Sequence, residues 1–281
     1  MNLPDFNKMP RAIAIDLDGT LLNSQTQLSE RNHRALEQCI AQGIPVIIAT
    51  SRPARIFDRI FPSNLARSCS YVLMNGAIAR GNPPLAGYFK ETLPAETLRE
   101  LLAFGRRVNP AMRVTLEIDG YDFGVDWAID YSLLWQRNSA TPDMVLSIEE
   151  ALKREPCKVA LGGPGVDLPA LSSRLQERFG NQLSIVSTLT GSLLLMVTIK
   201  NASKSEAIRK LLTPHGISLA EVLAFGDDLP DLDMLHACGI SVAMANAFPE
   251  VKAVCPYHTA SNDEDGVALV LEQMLGTDIR T

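Results

Sequence analysis

No stretch of the 281-residue chain is long and apolar enough to cross a bilayer. Its apolar runs are short and broken by Gly, Pro or charge, whereas a spanning helix needs roughly 18 or more consecutive apolar residues. The opening residues MNLPDFNKMP carry no signal-peptide core, so a cytoplasmic protein is expected. Positive charge is also in deficit. With 26 Lys and Arg against 32 Asp and Glu, the formal net charge is -6, which argues against a general affinity for nucleic acid or anionic membranes and leaves room only for a local positive pocket. Cysteine is sparse and scattered: Cys39, Cys69, Cys157, Cys238 and Cys255 are odd in number and form no CxxC and no Cys/His cluster. Buried or partly exposed free thiols in a reducing compartment are expected, with neither a disulfide framework nor a zinc site. Internal repeats and low-complexity tracts are absent as well. What remains is a chain of 46% hydrophobic residues, ample for a packed core in one large domain or two moderate ones.

The N-terminal part alternates strand and helix. Ala12 to Ile15 reads as a buried parallel strand, Leu28 to Gln42 as a helix capped by Ser29 and closed by Gly43, Pro45 to Thr50 as a second strand, Arg55 to Phe61 as a helix and Tyr71 to Met74 as a third strand. The last third repeats the rhythm with helices at Lys204 to His215, Asp231 to Cys238 and Gly266 to Leu275, and strands at Glu221 to Phe225 and Ile240 to Met244. Such alternation predicts an α/β fold, a doubly wound parallel sheet with right-handed crossovers. The middle differs. A helix over Ala95 to Val108, a hairpin of Arg113 to Ile118 and Tyr121 to Val125 about Asp119-Gly120, a strand at Cys157 to Leu161, a helix at Leu168 to Phe179, and the pair Leu183 to Ser187 and Ser192 to Thr198 about Thr190-Gly191 describe an α+β layer. The expected organisation is a core of residues 1–83 and 200–281 with an inserted α+β cap domain at 84–199, hinged at Gly81-Asn82-Pro83-Pro84 and Lys200-Asn201.

Chemistry concentrates where strands end. Asp16-Leu17-Asp18-Gly19-Thr20 follows the first strand, and open α/β sheets bind ligands at the carboxyl ends of their strands. Asp16 and Asp18 project to one side of an extended segment, where paired carboxylates can hold a hard cation, act as general acid and base, or attack an electrophile. A solvated Asp-Gly turn is the plain alternative. Thr50 and Ser51 end the second strand with hydroxyls and backbone amides suited to a phosphate oxygen, although a strand-ending Thr is more often a helix cap. Lys204 opens the helix after the inserted region and offers a compact positive charge. In Phe225-Gly226-Asp227-Asp228-Leu229-Pro230-Asp231 a strand runs into clustered acids, which makes Asp227 a natural further metal ligand. Asp228 or Asp231 can equally serve the first turn of the next helix.

Taken in order, Asp-Leu-Asp-Gly-Thr, Ala49-Thr50-Ser51-Arg52-Pro53, Ser203-Lys204 and Phe-Gly-Asp-Asp-Leu-Pro-Asp resemble the four motifs of the haloacid dehalogenase-like phosphohydrolases. The chain is most similar to their Cof-type sugar-phosphatase branch with an α/β cap. The likeness spans the whole sequence, including Asn75-Gly76-Ala77 and the tail from Val242 to Ala247 and from Asn262 to Val267. It implies that Asp16 is the nucleophile and forms an aspartyl-phosphate, that Asp18 is the acid and base, and that Thr50, Ser51 and Lys204 bind the phosphoryl group. It further implies Mg²⁺ held by Asp16, Asp18 through its backbone carbonyl and Asp227, with Asp231 behind them.

Two positions depart from the family pattern. Pro230 stands where Asn is usual and Ser51 where Gly is usual, which predicts reduced or retuned activity. The cap is expected to lie over the site and select the leaving group. Trp127, Tyr131 and Trp135 at i, i+4 and i+8 suggest one helix face, read first as packed cap core and second as a wall on which a sugar or base stacks, with Arg137, Glu117 and Asp119 as candidate polar contacts. The implied partner is a small phosphorylated metabolite, acted on by a monomer or homodimer. A phosphotransferase or mutase, or a weakly catalytic regulator that binds phosphometabolites, stays open beside the phosphatase.

Overall fold

The computed structural model describes residues 1–187 and 194–276. Eight strands form the first sheet: β1 (Ala12–Asp16), β2 (Val46–Ala49), β3 (Ser70–Leu73), β4 (Ile78–Arg80), β5 (Tyr88–Lys90), β12 (Val222–Gly226), β13 (Ile240–Ala243) and β14 (Tyr257–His258). Between β5 and β12 in the chain come β6 (Arg113–Glu117), β7 (Phe123–Val125), β8 (Val145–Ser147), β9 (Lys158–Gly162), β10 (Leu183–Ser187) and β11 (Leu195–Ile199), which form the second sheet.

The first sheet runs β14-β13-β12-β1-β2-β3-β4-β5, parallel from β14 to β3 and antiparallel at β4 and β5. Every residue of β1, β2, β3 and β12 is buried, as a parallel strand covered on both faces requires. Strands on either side of β1 come from opposite ends of the chain, so strand order reverses between β1 and β12. A ligand crevice opens at such a switch point. The Glu30–Ala41 helix is capped by Ser29, whose side chain accepts from Asn32 N, and packs on the Gly266–Leu275 helix.

The second sheet runs β10-β11-β9-β6-β7-β8, with only the β7-β8 pair parallel. Its own apolar cluster, built on Leu98, Leu101, Val114, Leu116, Leu161, Leu175 and Val197, is separate from that of the first sheet. The architecture is thus an α/β core with a mixed α+β second layer. The expected turn at Thr190-Gly191 and the first two residues of the expected strand, Ser192 and Leu193, lie outside the described residues; the described strand β11 spans Leu195–Ile199.

Two expectations fail here. The Gly81–Pro84 segment is the loop of a hairpin within the first sheet: β5 pairs with β4 in the register Ile78↔Lys90, and Leu85 belongs to the first apolar cluster. The chain crosses to the second sheet only between Lys90 and Ala95. The Trp127–Trp135 stripe is also not one helix. Asp130 accepts from both the amide and hydroxyl of Ser132 and restarts the chain in a short 3-10 turn at Tyr131–Leu133, followed by a helix at Leu134–Asn138. Tyr131 and Trp135 are 56% and 59% exposed, so they are not packed core.

Candidate active site

β1 delivers Asp16 to the crevice, and β12 ends at Gly226, so Asp227 emerges beside it. A carboxylate oxygen from each of Asp16, Asp227 and Asp231 lies within 4.8 Å of the others, and all three residues are buried. Lys204 is the first residue of the Lys204–Leu212 helix, which Ser203 caps by accepting from Glu206 N. Its ammonium donates to Asp16 Oδ1 at 2.5 Å and to Asp231 Oδ1 at 2.6 Å. The other Asp231 oxygen accepts the amides of Asp227 and Asp228 at 3.0 and 3.1 Å, which folds the loop after β12 back on itself. Thr20 donates its hydroxyl to Asp227 Oδ1 at 2.7 Å and ties the two strand ends together. Gly19 makes that closeness possible: its φ is +76°, and a Cβ there would sit 2.3 Å from Asp227 Oδ2.

Burial, reinforced by Asp231, holds the Asp16 carboxyl well above the usual range, with Lys204 opposing. Burial and Asp231 likewise push Asp227 up to about 7, against the Thr20 hydrogen bond. Burial pulls the Lys204 ammonium down, but Asp16 and Asp231 outweigh it and hold the group above its ordinary value. Three buried carboxylates facing one ammonium leave negative charge in surplus, which a hard divalent cation would neutralise through oxygen ligands. Both Asp231 oxygens are already engaged, so Asp16 and Asp227 are the better placed to hold such an ion.

Ser51 and Arg52, in the loop after β2, reach a cavity of about 540 Å³ that is also lined by Asp16, Asp18, Lys204 and Pro230; Thr50 is not among its lining residues. Thr50 is buried, and its hydroxyl accepts from Arg52 N at 3.1 Å. The Asp18 side chain stands apart from the buried acidic cluster. Arg52 grips it in a two-pronged pair, Nε to Oδ2 at 2.6 Å and Nη2 to Oδ1 at 2.5 Å. The tail motif braces the opposite wall, with Asn246 donating to Gly19 O at 2.7 Å and Asn262 to Leu22 O at 2.9 Å.

Several residues on the cavity carry no role that sequence reasoning had assigned. Met196 reaches it from β11 and Leu194 from just before that strand, and Arg52 reaches it from the second motif, whose quoted residues were weighed only for phosphate. The proposed cap contacts fall elsewhere. Glu117 is buried and paired with Arg55, Asp119 accepts the amides of Tyr121 and Asp122 in its own turn, and Arg137 is exposed in the last turn of its helix. All five cysteines are free and buried, and burial pushes the thiols of Cys39, Cys69, Cys157 and Cys238 up to about 12, where they are unreactive.

The chain belongs to the haloacid dehalogenase-like hydrolases, whose family model matches residues 13–271. It is 26% identical to the Bacillus subtilis 5-amino-6-(5-phospho-D-ribitylamino)uracil phosphatase YitU, over 94% of this chain and 97% of the relative. A Thermotoga maritima protein, TM0651, superposes with a TM-score of 0.76 at 26% identity, covering 94% of this chain and 97% of that one. The subclass IIB sugar phosphatase BT4131 shares the fold, with a TM-score of 0.75 at 24% identity over 95% of this chain and 99% of its own. Within the family the chain is a phosphatase, a hydrolase of phosphoric monoesters. Among the described residues, no helix is long and apolar enough to cross a membrane.

Proposed function

We propose that the protein hydrolyses small soluble phosphomonoesters, sugar phosphates foremost, in a Mg²⁺-dependent reaction through an aspartyl-phosphate on Asp16. The observation that carries this reading is the buried Asp16, Asp227 and Asp231 cluster around Lys204 at the switch point of the sheet. Mg²⁺, held by the carboxylates of Asp16 and Asp227 and the backbone carbonyl of Asp18, would supply the positive charge that lets one anion approach another. Lys204 and the Thr50 hydroxyl bind the phosphoryl oxygens, with the Ser51 amide beside them. The free oxygen of Asp16 attacks phosphorus, and the ester oxygen leaves with a proton from Asp18. Asp18 then takes a proton from the water that hydrolyses the acyl-phosphate.

The Arg52 grip on Asp18 gives that residue a resting position. An incoming phosphate offers Arg52 a competing anion and releases the carboxyl for proton transfer. The second sheet serves as the cap, and Leu194 and Met196 give the leaving group an apolar wall. The named activities of YitU and BT4131 on phosphorylated ribityl and sugar compounds support a polyol or sugar leaving group.

Phosphate release from p-nitrophenyl phosphate, followed by a panel of sugar phosphates, tests the reading. Activity should require Mg²⁺ and fall at least about 10³-fold in Asp16→Asn. Turnover that survives Asp16→Asn, or that needs no divalent ion, would refute it. Transfer of phosphate to an added sugar in place of water would reassign the protein as a phosphotransferase.

A further inference from the structure

The loop that follows β2 turns its carbonyls away from the cavity, and each carbonyl has a donor. Thr50 O accepts from Asn75 N at 3.2 Å, Arg52 O from Met74 N at 3.2 Å, and Ser51 O from Lys158 Nζ at 2.9 Å. A trans peptide sets C=O and N–H antiparallel, so fixing the Thr50 and Ser51 carbonyls fixes where the Ser51 and Arg52 amides point. The Arg52 amide accordingly faces Thr50 Oγ1 at 3.1 Å, toward the group assigned to phosphate. Pro53, without an N–H, ends the series.

Two of the three donors belong to the turn after β3. Met74, Asn75 and Gly76 there have φ of 53°, 58° and 94°, costly for the two non-glycine residues. The turn is wedged against the residue before Lys204: a Cβ on Gly76 would meet Ser203 O at 2.1 Å. The remaining donor comes from the other sheet. Lys158 is the first residue of β9, its side chain is buried, and its cross-strand partner is Glu117 on β6, itself paired with Arg55. Lys158 does not line the cavity that holds Asp16.

We propose that Lys158 is a positioning residue for phosphoryl binding, through which the cap sets the orientation of the Ser51–Arg52 peptide. This rests on the phosphatase reading of the same loop. Lys158 touches no reacting atom. Removing its ammonium frees the Ser51 carbonyl to turn, and the Arg52 amide turns with it.

The test compares the wild type with Lys158→Met, Lys158→Arg and Lys158→Gln. Readouts are p-nitrophenyl phosphate turnover, inhibition by inorganic phosphate, the half-saturating Mg²⁺ concentration, and calorimetric binding of inorganic phosphate. In Lys158→Met, kcat should fall about 10- to 100-fold and phosphate should bind about tenfold more weakly, because a misplaced donor is felt in the transition state. The Mg²⁺ half-saturation should stay within about twofold of wild type, and Lys158→Arg should recover most of the loss. Partial unfolding would lower the active fraction without moving the phosphate constant. If Lys158→Met fails to fold, Lys158→Gln, which keeps a donor on a shorter arm, should show the weakened phosphate binding. Unchanged phosphate binding in every folded variant, or Lys158→Arg no better than Lys158→Met, would overturn the proposal. Calorimetry separates the two readings. A wild type that binds phosphate but hydrolyses nothing removes the phosphatase and leaves the Lys158 comparison standing, whereas an active wild type with full binding in Lys158→Met removes only Lys158.

Discussion

The crevice at the ends of β1 and β12 and the seam between the two sheets both bury charge, and they balance it in opposite ways. In the seam, Arg55 is consumed: its guanidinium meets both oxygens of Glu117 at 2.7 and 2.8 Å, donates to Asn138 O and Tyr121 O, and lies 4.2 Å from the centre of the Phe123 ring. The neighbouring Arg59 donates to Trp135 O and Ser139 Oγ, and Asp58 accepts from the Tyr121 hydroxyl. In the crevice, Asp16, Asp227 and Asp231 share one lysine, and two of them are pushed toward neutrality. Satisfied buried charge builds architecture, while unsatisfied buried charge marks where the protein receives something from solution.

Lys204→Met should break the contrast most severely. It strips the crevice of its ammonium, so turnover should drop about 10²- to 10³-fold in steady-state assays, and the melting temperature should fall most when divalent ions are chelated. Arg55→Met comes next. It strips the buried Glu117 of its two-pronged partner and leaves only the cross-strand Lys158 as counter-charge, at a cost of about 3 kcal/mol, read in thermal melts as a loss on the order of 10 °C.

A subtler effect follows from pH. Carboxyls whose folded pKa is raised favour the folded state below their unfolded value of 3.8, and that contribution is lost as pH rises through about 7 for Asp227. Melts in chelator should therefore decline over that window, and melts with Mg²⁺ should decline less. Smallest of all, Trp135→Ala at the exposed end of the seam should change stability by no more than about 0.5–1 kcal/mol in denaturant titrations.

The strand ends were legible because their chemistry is local. A buried apolar run followed by Asp16-Leu17-Asp18-Gly19-Thr20 states both the element and the place where it stops, and the same holds for Phe225 to Asp231. What pairs with what was not legible. Arg52 with Asp18, Lys158 with Ser51 O and Asn246 with Gly19 O join residues 34, 107 and 227 positions apart, and no periodicity records such contacts. Pro83-Pro84 misled because Gly and Pro punctuate hairpin loops and domain linkers alike; only the pairing of β4 with β5 tells them apart. The aromatic stripe misled because i, i+4 spacing carries no warning that Asp130 will bind the backbone at Ser132 and reset the turn.

Ile199, the last residue of β11, packs against the apolar clusters of both sheets, and the chain regains the crevice at Lys204 a few residues later. The insert is therefore not a detachable accessory. One side chain packs on two cores at once, so loosening either core withdraws support from the short segment that delivers Lys204 to the buried carboxylates, and the stability of the second sheet becomes a determinant of how well the crevice keeps its shape.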